Sequence, residues 1–291
     1  MQEYLNESLL RPLPINKLSS SCQFKLITAK DLDNKAVAVL SFDWDAPRNL
    51  IIRNTLLKIL RPTKLLNDAL IPTKDVKPLD GIRAISELGK SGVKFTIFAR
   101  FDVALSNRHK LMQLTSQGHD VFPHPDPSMS LNRLCLMMNY FKTNFGPIKA
   151  MRYHTISFPQ GLSNAYKLIS KFNIKISSNI GFNNAVGFPG GLAYGIKFTD
   201  FDLIEIPIIF MDLVPYREGY SQEETRELLE KLIQELAKNN GISSLIFHVD
   251  YLHDVEFYSL LKFLFKICEY HGVTLMNFGE LHKKLTLKGF L

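Results

Sequence analysis

The segment AVAVLSFDWD, from Ala36 to Asp45, decides the fold. Its first seven residues form a continuous apolar run of strand length, as expected for a parallel strand that is covered on both faces. Stretches with helical spacing separate it from further runs of the same kind: KFTIFA, AMRYHTI, IKIS, LIEIPIIF, SSLIFH and VTLMNF. This alternation predicts a parallel α/β sheet or barrel with about seven strand–helix units.

Helix signals support this interpretation. DGIRAISELGKSG and SLNRLCLMMNYFKTNFG both end at glycine, and SQEETRELLEKLIQELAKNNG opens with a serine cap followed by acids. We therefore predict a distorted (β/α)7 barrel of the TIM-like kind, with a doubly wound open sheet as the alternative. Residues 36–291 form the barrel, and residues 1–35 form an N-terminal extension with one short strand around Phe24 to Thr28.

Composition restricts the partners and the compartment. The chain of 291 residues carries a net charge of +7, which favours an anionic partner such as a phosphosugar, an acidic glycan or a lipid surface. Its basic residues are scattered and accompany no nucleic-acid motif, so we expect no nucleic-acid partner. Cys22, Cys135 and Cys268 are too few and too far apart for a disulfide framework. With neither a signal-peptide pattern nor a membrane-spanning apolar stretch, we expect a cytoplasmic protein.

Polar residues follow the apolar runs at the points where the strands end. In a parallel barrel, function collects at these carboxyl ends. Asp43 and Asp45 follow the first strand, and because strand side chains alternate, they share one face. Arg152 and His154 have the same spacing in AMRYHTI. The segments GHDVFPHPDPS and SSLIFHVDYLHD supply the remaining candidates: His124, Asp126, His248, Asp250 and His253.

Carboxylates and imidazoles at one rim predict a site for a divalent ion such as Zn²⁺. Such an ion activates water and polarises a carbonyl, which predicts an amide hydrolase with a carboxylate base and a histidine acid. Structural alternatives stay open: Asp43 and Asp45 could cap a turn, and Arg152 could form a structural ion pair. The shared placement after strands favours the site. Five histidines without matching partners are interpreted as structural: His109, His119, His253, His271 and His282.

The order acid, His, Arg, His resembles the NodB-homology polysaccharide deacetylases, carbohydrate esterase family 4, from about Ala36 to Leu281. SFDWD resembles the family's TFDDG-like first motif, GVKFTIFARFD its "ATFF" strand and SQGHDVFPH its "GHEIGNH" motif. AMRYH resembles the third motif and SSLIFH the last. The resemblance implies a NodB-type barrel that hydrolyses the N-acyl amide of a sugar.

The resemblance also implies catalytic roles. It makes Asp43 the base, Arg152 the arginine that positions the base, and His248 the general acid. The segment LIEIPIIFMD resembles the strand before the family's orienting acid, which makes Asp212 the candidate for that role.

The implied metal ligands depart from the family at one position. Asp45 and His124 match two ligands, but the usual second histidine, four residues after the first, is replaced by Ser128. We predict that His154, beside Arg152 at a neighbouring strand end, completes the site for a divalent metal, with Zn²⁺ foremost. A weak or absent metal is the other interpretation.

We expect the substrate to be an N-acylated sugar or glycan precursor used in cell-surface glycan synthesis. Removal of a formyl group from a lipid-linked formamido sugar, or glycan binding without catalysis, are the alternatives. The basic and apolar segment at residues 49–74, with Arg53, Lys58, Arg61 and Lys64, could contact a membrane surface or pack on the barrel. GFNNAVGFPGGLAYG, residues 181–195, is predicted to form one wall of the substrate cavity.

Overall fold

The structure, a computed structural model, describes residues 23–45, 80–89, 92–156, 158, 161–252 and 254–291. Its strands are β1 Phe24–Ile27, β2 Val37–Trp44, β3 Thr96–Ala99, β4 Asp120–Pro123, β5 Ala150–Met151, β6 Ile176–Ser177, β7 Gly195–Phe198, β8 Leu203–Glu205, β9 Ile208–Met211, β10 Ile242–His248 and β11 Thr274–Met276. Its α-helices are α1 Asp80–Gly89, α2 Phe101–Ser106, α3 Arg108–Ser116, α4 Leu131–Phe145, α5 Leu162–Lys171, α6 Leu213–Arg217, α7 Gln222–Lys238, α8 Val255–His271 and α9 Phe278–Leu287.

The parallel strands form a closed but irregular ring. One run has the order β4-β3-β2-β10-β9, and another joins β5, β6 and β8. His154 N donates to Pro125 O at 3.0 Å, and Ile208 N donates to Ile180 O at 2.7 Å, so main-chain hydrogen bonds connect the two runs at both sides. Because β8 and β9 follow each other as one interrupted strand, the ring has seven members. The predicted distorted (β/α)7 barrel is confirmed.

Two antiparallel strands extend the sheet on one side of the barrel. β1 pairs with β7, and β7 pairs with β8, both antiparallel. β1 is the strand predicted near Phe24. Ile27, Ala29 and Leu32 are buried in the same apolar cluster as barrel residues such as Val37. The division at residue 35 stays a prediction, and the described end of the extension packs directly on the barrel.

The pleat of β2 explains why polar groups collect at one end. Ala36, Ala38, Leu40 and Phe42 pack in the larger apolar cluster, together with buried residues of α1, α7 and α8. The alternating residues Val37 and Val39 belong to the cluster that fills the barrel. The same inward row continues as Ser41, Asp43 and Asp45. The inward-facing row of β2 is therefore apolar at the amino end of the strand and acidic at the carboxyl end, because alternate residues of a strand share one face.

The first turn of α9 is hydrogen-bonded to β3 at the apolar end of the barrel interior. Asn277 caps this helix and its side chain accepts from Glu280 N at 2.7 Å. Thr96 Oγ1 accepts from Phe278 N at 2.9 Å, which ties the helix to β3. The ring of Phe278 and that of Phe98 then lie 5.3 Å apart beneath the site.

The predicted membrane contact at residues 49–74 lies outside the described residues. None of the helices in the described ranges is both long and apolar enough to cross a bilayer.

Candidate active site

The structure brings the seven predicted site residues into one connected network at the carboxyl ends of the barrel strands. β2, β4, β5, β9 and β10 place them there. The network consists of Asp43, Asp45, His124, Arg152, His154, Asp212 and His248.

Arg152 is the buried centre of this network, with 2% of its surface exposed. Its Nε donates to Ser178 O at 3.1 Å, and its Nη1 donates to Asp43 Oδ1 and Ser41 Oγ, each at 2.8 Å. Its Nη2 donates to Ser178 Oγ at 3.0 Å and Ser244 Oγ at 2.7 Å. All five guanidinium N–H groups are therefore used. A buried ion pair satisfied in this way holds Asp43 in one orientation.

His248 is held by Asp212 across the cavity. Its Nδ1 lies 2.6 Å from Asp212 Oδ1, and its main-chain N–H donates to Asp212 Oδ2 at 2.8 Å. Burial disfavours the charged ring, but the carboxylates of Asp212, Asp45 and Asp43 together outweigh this effect and raise the pKa of His248 to about 9. The carboxylate fixes Nδ1 as a donor, which leaves Nε2 to face the cavity, 3.7 Å from Asp45 Oδ2.

His124 and Asp45 face each other through atoms that have no hydrogen-bond partner. Nδ1 of His124 lies 2.9 Å from the carbonyl oxygen of Arg152, and because a carbonyl can only accept, Nδ1 carries the proton. Its Nε2 lies 3.2 Å from Asp45 Oδ1 and 3.6 Å from Asp43 Oδ2. Within the described ranges, His124 Nε2 and Asp45 Oδ1 are both buried and unpaired. Two such atoms call for a proton or a cation between them.

His154 approaches the same carboxylate from β5. Its Nδ1 lies 2.9 Å from Asp126 Oδ1 and its Nε2 lies 3.6 Å from Asp45 Oδ2. A carboxylate on the far nitrogen is the usual arrangement for a ligating histidine. Burial opposes ionisation of Asp45, but the neighbouring imidazoles of His124, His154 and His248 outweigh it and hold the pKa of that carboxyl well below its usual range. Ser128 is exposed on the turn after β4.

The residues fit a divalent metal in their chemistry. In the described part of the chain, no group of three or more His, Cys, Asp or Glu side chains is arranged so that it could hold a metal ion. The unpaired atoms of Asp45 and His124 nevertheless form a mixed oxygen and nitrogen donor pair of the kind that zinc accepts. His154, fixed by Asp126, lies beside that pair, with its Nε2 3.6 Å from Asp45 Oδ2.

A cavity of about 350 Å³ opens over this network. Its size lies at the lower end of the range for small-molecule sites. Its lining includes four apolar side chains: Ile208, Met211, Leu213 and Ile246. Asn183, from the predicted wall at residues 181–195, lies in the lining together with Arg217 and Tyr251. A second cavity, of about 290 Å³ beside α6, α7 and α8, shares only Asp212 with the network.

The sequence prediction missed two partners of Arg152, since Ser41 and Ser244 both accept hydrogen bonds from its guanidinium. Asp126 and Asp250 were candidates without an assigned role: Asp126 binds His154, and Asp250 Oδ2 accepts from Asp45 N at 3.4 Å. The two serines had a usable signal, because each is a polar residue on the inward face of an apolar strand. His253 lies outside the described residues.

Comparison with known proteins identifies the fold. No known family profile matches the chain, and no curated protein sequence matches it. A structure from Mycobacterium smegmatis assigned as a polysaccharide deacetylase is 15% identical with a TM-score of 0.58, covering 88% of this chain and 92% of that one. A structure from Pseudomonas aeruginosa PAO1 with the same assignment is 11% identical with a TM-score of 0.59, covering 89% and 93%. An allantoinase is equally similar, at 11% identity and a TM-score of 0.59, covering 88% and 93%.

The chain therefore has the α/β fold of the polysaccharide deacetylases, and its seven site residues occupy the rim at which barrel enzymes carry their chemistry. At this level of identity the similarity establishes the fold and leaves the reaction to be argued from the site.

Proposed function

We propose that this protein is a metal-dependent hydrolase that removes an N-acyl group, acetyl in the first instance, from a sugar. The observation that carries the proposal is the arrangement of three units around one cavity. Asp43 is held by Arg152, His248 is held by Asp212, and an unpaired carboxylate and imidazole lie between them. A fixed base and a fixed acid around a cation site are what amide hydrolysis requires.

In the proposed reaction, Asp43 takes a proton from water as the water oxygen bonds to the acyl carbon. Arg152 holds the Asp43 carboxylate in place through the hydrogen bond from its Nη1. His248 then donates a proton from Nε2 to the amine nitrogen as the carbon–nitrogen bond breaks, and Asp212 holds its ring. The carboxylic acid and the free amino sugar are the products.

We propose Asp45, His124 and His154 as the residues that would hold the metal, with Zn²⁺ as the expected ion. When bound, such an ion acidifies water and polarises the acyl carbonyl. His154 would replace the family histidine that is missing at Ser128, because the hydrogen bond from His154 N to Pro125 O brings its strand end against the His124 loop.

Elemental analysis tests this ligand set. We expect purified wild-type protein to contain about one equivalent of metal, and His154→Ala to lose most of it. Ser128→Ala is the matched control, because Ser128 is exposed, and it should keep the wild-type content. Unchanged metal in His154→Ala would remove His154 from the ligand set.

The proposed substrate is an N-acetylated precursor of a cell-surface glycan in the cytoplasm. A cavity that accommodates a small molecule and two unpaired described cysteines, Cys135 and Cys268, support this choice. Lipid linkage of the sugar and peripheral membrane contact are part of the same proposal. Co-sedimentation with anionic vesicles tests the membrane contact, and protein that stays in the supernatant would argue against it.

Acyl release from nucleotide-linked and lipid-linked sugars tests the reaction. Metal-reconstituted wild type should release acetate, and Asp43→Asn should lower kcat by about 10²- to 10⁴-fold, the usual contribution of a general base. Preferential release of formate would favour the deformylase alternative. Equal rates for wild type and Asp43→Asn would favour a silent glycan-binding protein, the interpretation that the loss at Ser128 supports.

A further inference from the structure

We infer that the substrate carries an anionic group, and that Arg217 binds it at the rim of the catalytic cavity. This inference rests on the proposed function and adds the substrate's charge class and a specificity residue. It starts from the charged side chains that line the cavity besides His154 and His248, which belong to the proposed machinery. Three are acids at or near the site, Asp43, Asp45 and Asp250, and two are arginines, Arg152 and Arg217.

The two arginines differ in what they can offer a ligand. Arg152 is buried and has committed all five of its N–H groups to the protein. Arg217 is exposed, and it makes no hydrogen bond or ion pair with any residue in the described ranges. An arginine fork binds phosphate or carboxylate oxygens with two parallel hydrogen bonds. Of the two, only Arg217 has donors available for such a group.

The position of Arg217 is set by the same carboxylate that orients the proposed acid. Asp212 caps α6 by accepting from Leu213 N at 2.8 Å, while its carboxylate also holds His248. Leu213 and Arg217 are four residues apart on α6, so they share one helix face, and both line the cavity. The helix therefore directs Arg217 toward the cavity that His248 faces.

The length of α6 sets where the anion lies. Arg217 follows Asp212 by five residue steps along the helix, a rise of roughly 7.5 Å. The guanidinium can therefore reach a substituent on the sugar that holds the acyl amide, or on the unit joined to it. Phosphoryl and carboxylate groups share the required chemistry. The net charge of +7 acts in the same direction, since it favours anionic ligands over neutral ones.

The test compares kcat/KM for three N-acetyl sugars: N-acetylglucosamine 1-phosphate, N-acetylmuramic acid and neutral N-acetylglucosamine. Wild type should prefer an anionic probe over the neutral one, and Arg217→Gln should lower that ratio about 10- to 100-fold, the effect of losing a charge-assisted hydrogen bond. Arg217→Lys should retain part of the ratio. Preference for the phosphate or the carboxylate probe identifies which group is bound.

Arg133→Gln is the matched control, because it removes the same charge from an exposed position on α4, and it should keep the wild-type ratio. A ratio that Arg217→Gln leaves unchanged, or that Arg133→Gln lowers equally, would overturn the inference.

Calorimetric binding of the same probes separates this inference from the proposed function. If no acyl group is released but binding of the anionic probe depends on Arg217, only the proposed hydrolase activity is contradicted. Wild-type protein that binds none of the probes, or binds charged and neutral ones equally, would contradict the role of Arg217.

Discussion

Two histidines at opposite ends of β4 show how differently burial can be used. His119 and His124 are each 2% exposed, and each has an unpaired ring nitrogen within the described part of the chain. His119 stacks on Phe95 with the ring centroids 3.8 Å apart, and burial lowers its pKa to about 4. His124 is anchored through Nδ1 and faces Asp45 through Nε2.

The difference follows from strand direction and pleat. His119 precedes β4, at the amino end of the barrel, where its ring packs between Phe95 and Gly89. His124 follows β4 at the carboxyl end and lies on the alternate, inward face. Burial alone therefore does not indicate function in this fold. Function is indicated by which end of the strand a residue occupies and which face of the sheet it lies on. Three predictions test this difference between inward residues at the carboxyl end and buried residues elsewhere.

The largest expected effect is on metal affinity. His124→Gln should weaken zinc binding by more than about 100-fold, since losing even an outer partner of a ligand costs about 10- to 100-fold. His119→Gln should bind zinc like wild type. Titration of the metal-free proteins with zinc and a competing chelator measures both. Equal affinity in all three proteins would mean that the contrast has no bearing on metal binding.

The second expected effect is that the free energy of unfolding depends on pH because His119 titrates. Its pKa in the folded protein, about 4, lies below the ordinary value of 6.5, so the unfolded chain binds the proton more tightly. The contribution of His119 to stability is complete above pH 6.5 and is lost as the pH falls toward 4. At about 1.4 kcal/mol per pKa unit, the free energy of unfolding should fall by up to about 3 kcal/mol over that window.

Urea unfolding of wild type and His119→Gln at several pH values measures this loss. The variant carries no titratable group at this position, so its stability should depend less on pH between 6.5 and 4. Parallel pH profiles for the two proteins would show that His119 is not held neutral by the fold.

The smallest effect compares adjacent serines on β10. Ser244 and Ser243 are both fully buried, but Ser244 Oγ accepts from Arg152 at 2.7 Å, whereas Ser243 Oγ has no partner among the described residues. Ser244→Ala should destabilise the protein by about 1–3 kcal/mol, because a buried guanidinium N–H is left unpaired. Ser243→Ala should change stability by less than about 0.5 kcal/mol. Equal losses in chemical unfolding would contradict the clamp around Arg152.

Much of the barrel follows from local sequence. The apolar runs of β2 and β10 are long enough to be recognised as buried strands. The predicted serine cap of α7 is Ser221, and the structure shows that it forms a capping box with Glu224. The run LIEIPIIF, predicted as one strand, is instead split into β8 and β9. Pro207 between them has no N–H to donate, although its carbonyl accepts from Ser244 N at 2.7 Å.

The candidate site likewise has a part that can be predicted from local sequence and a part that cannot. Asp43 with Asp45, and Arg152 with His154, can be placed on one face from their spacing of two residues, because that spacing is the period of a strand. The partners of Arg152 cannot be found in this way. Ser178, directly after β6, and Ser244, on β10, meet Arg152 only when the barrel closes, at sequence separations of 26 and 92 residues. Arg217 likewise has no local signal, since its position depends on how Asp212 anchors α6.

Zinc-edge anomalous diffraction from crystals soaked in zinc tests the central claim most directly. We predict one strong peak at the carboxyl end of the barrel, within about 2.2 Å of donor atoms from Asp45, His124 and His154. A peak elsewhere, or no peak at a zinc concentration that loads known zinc hydrolases, would contradict the proposal that these three residues hold the metal for an amide hydrolase.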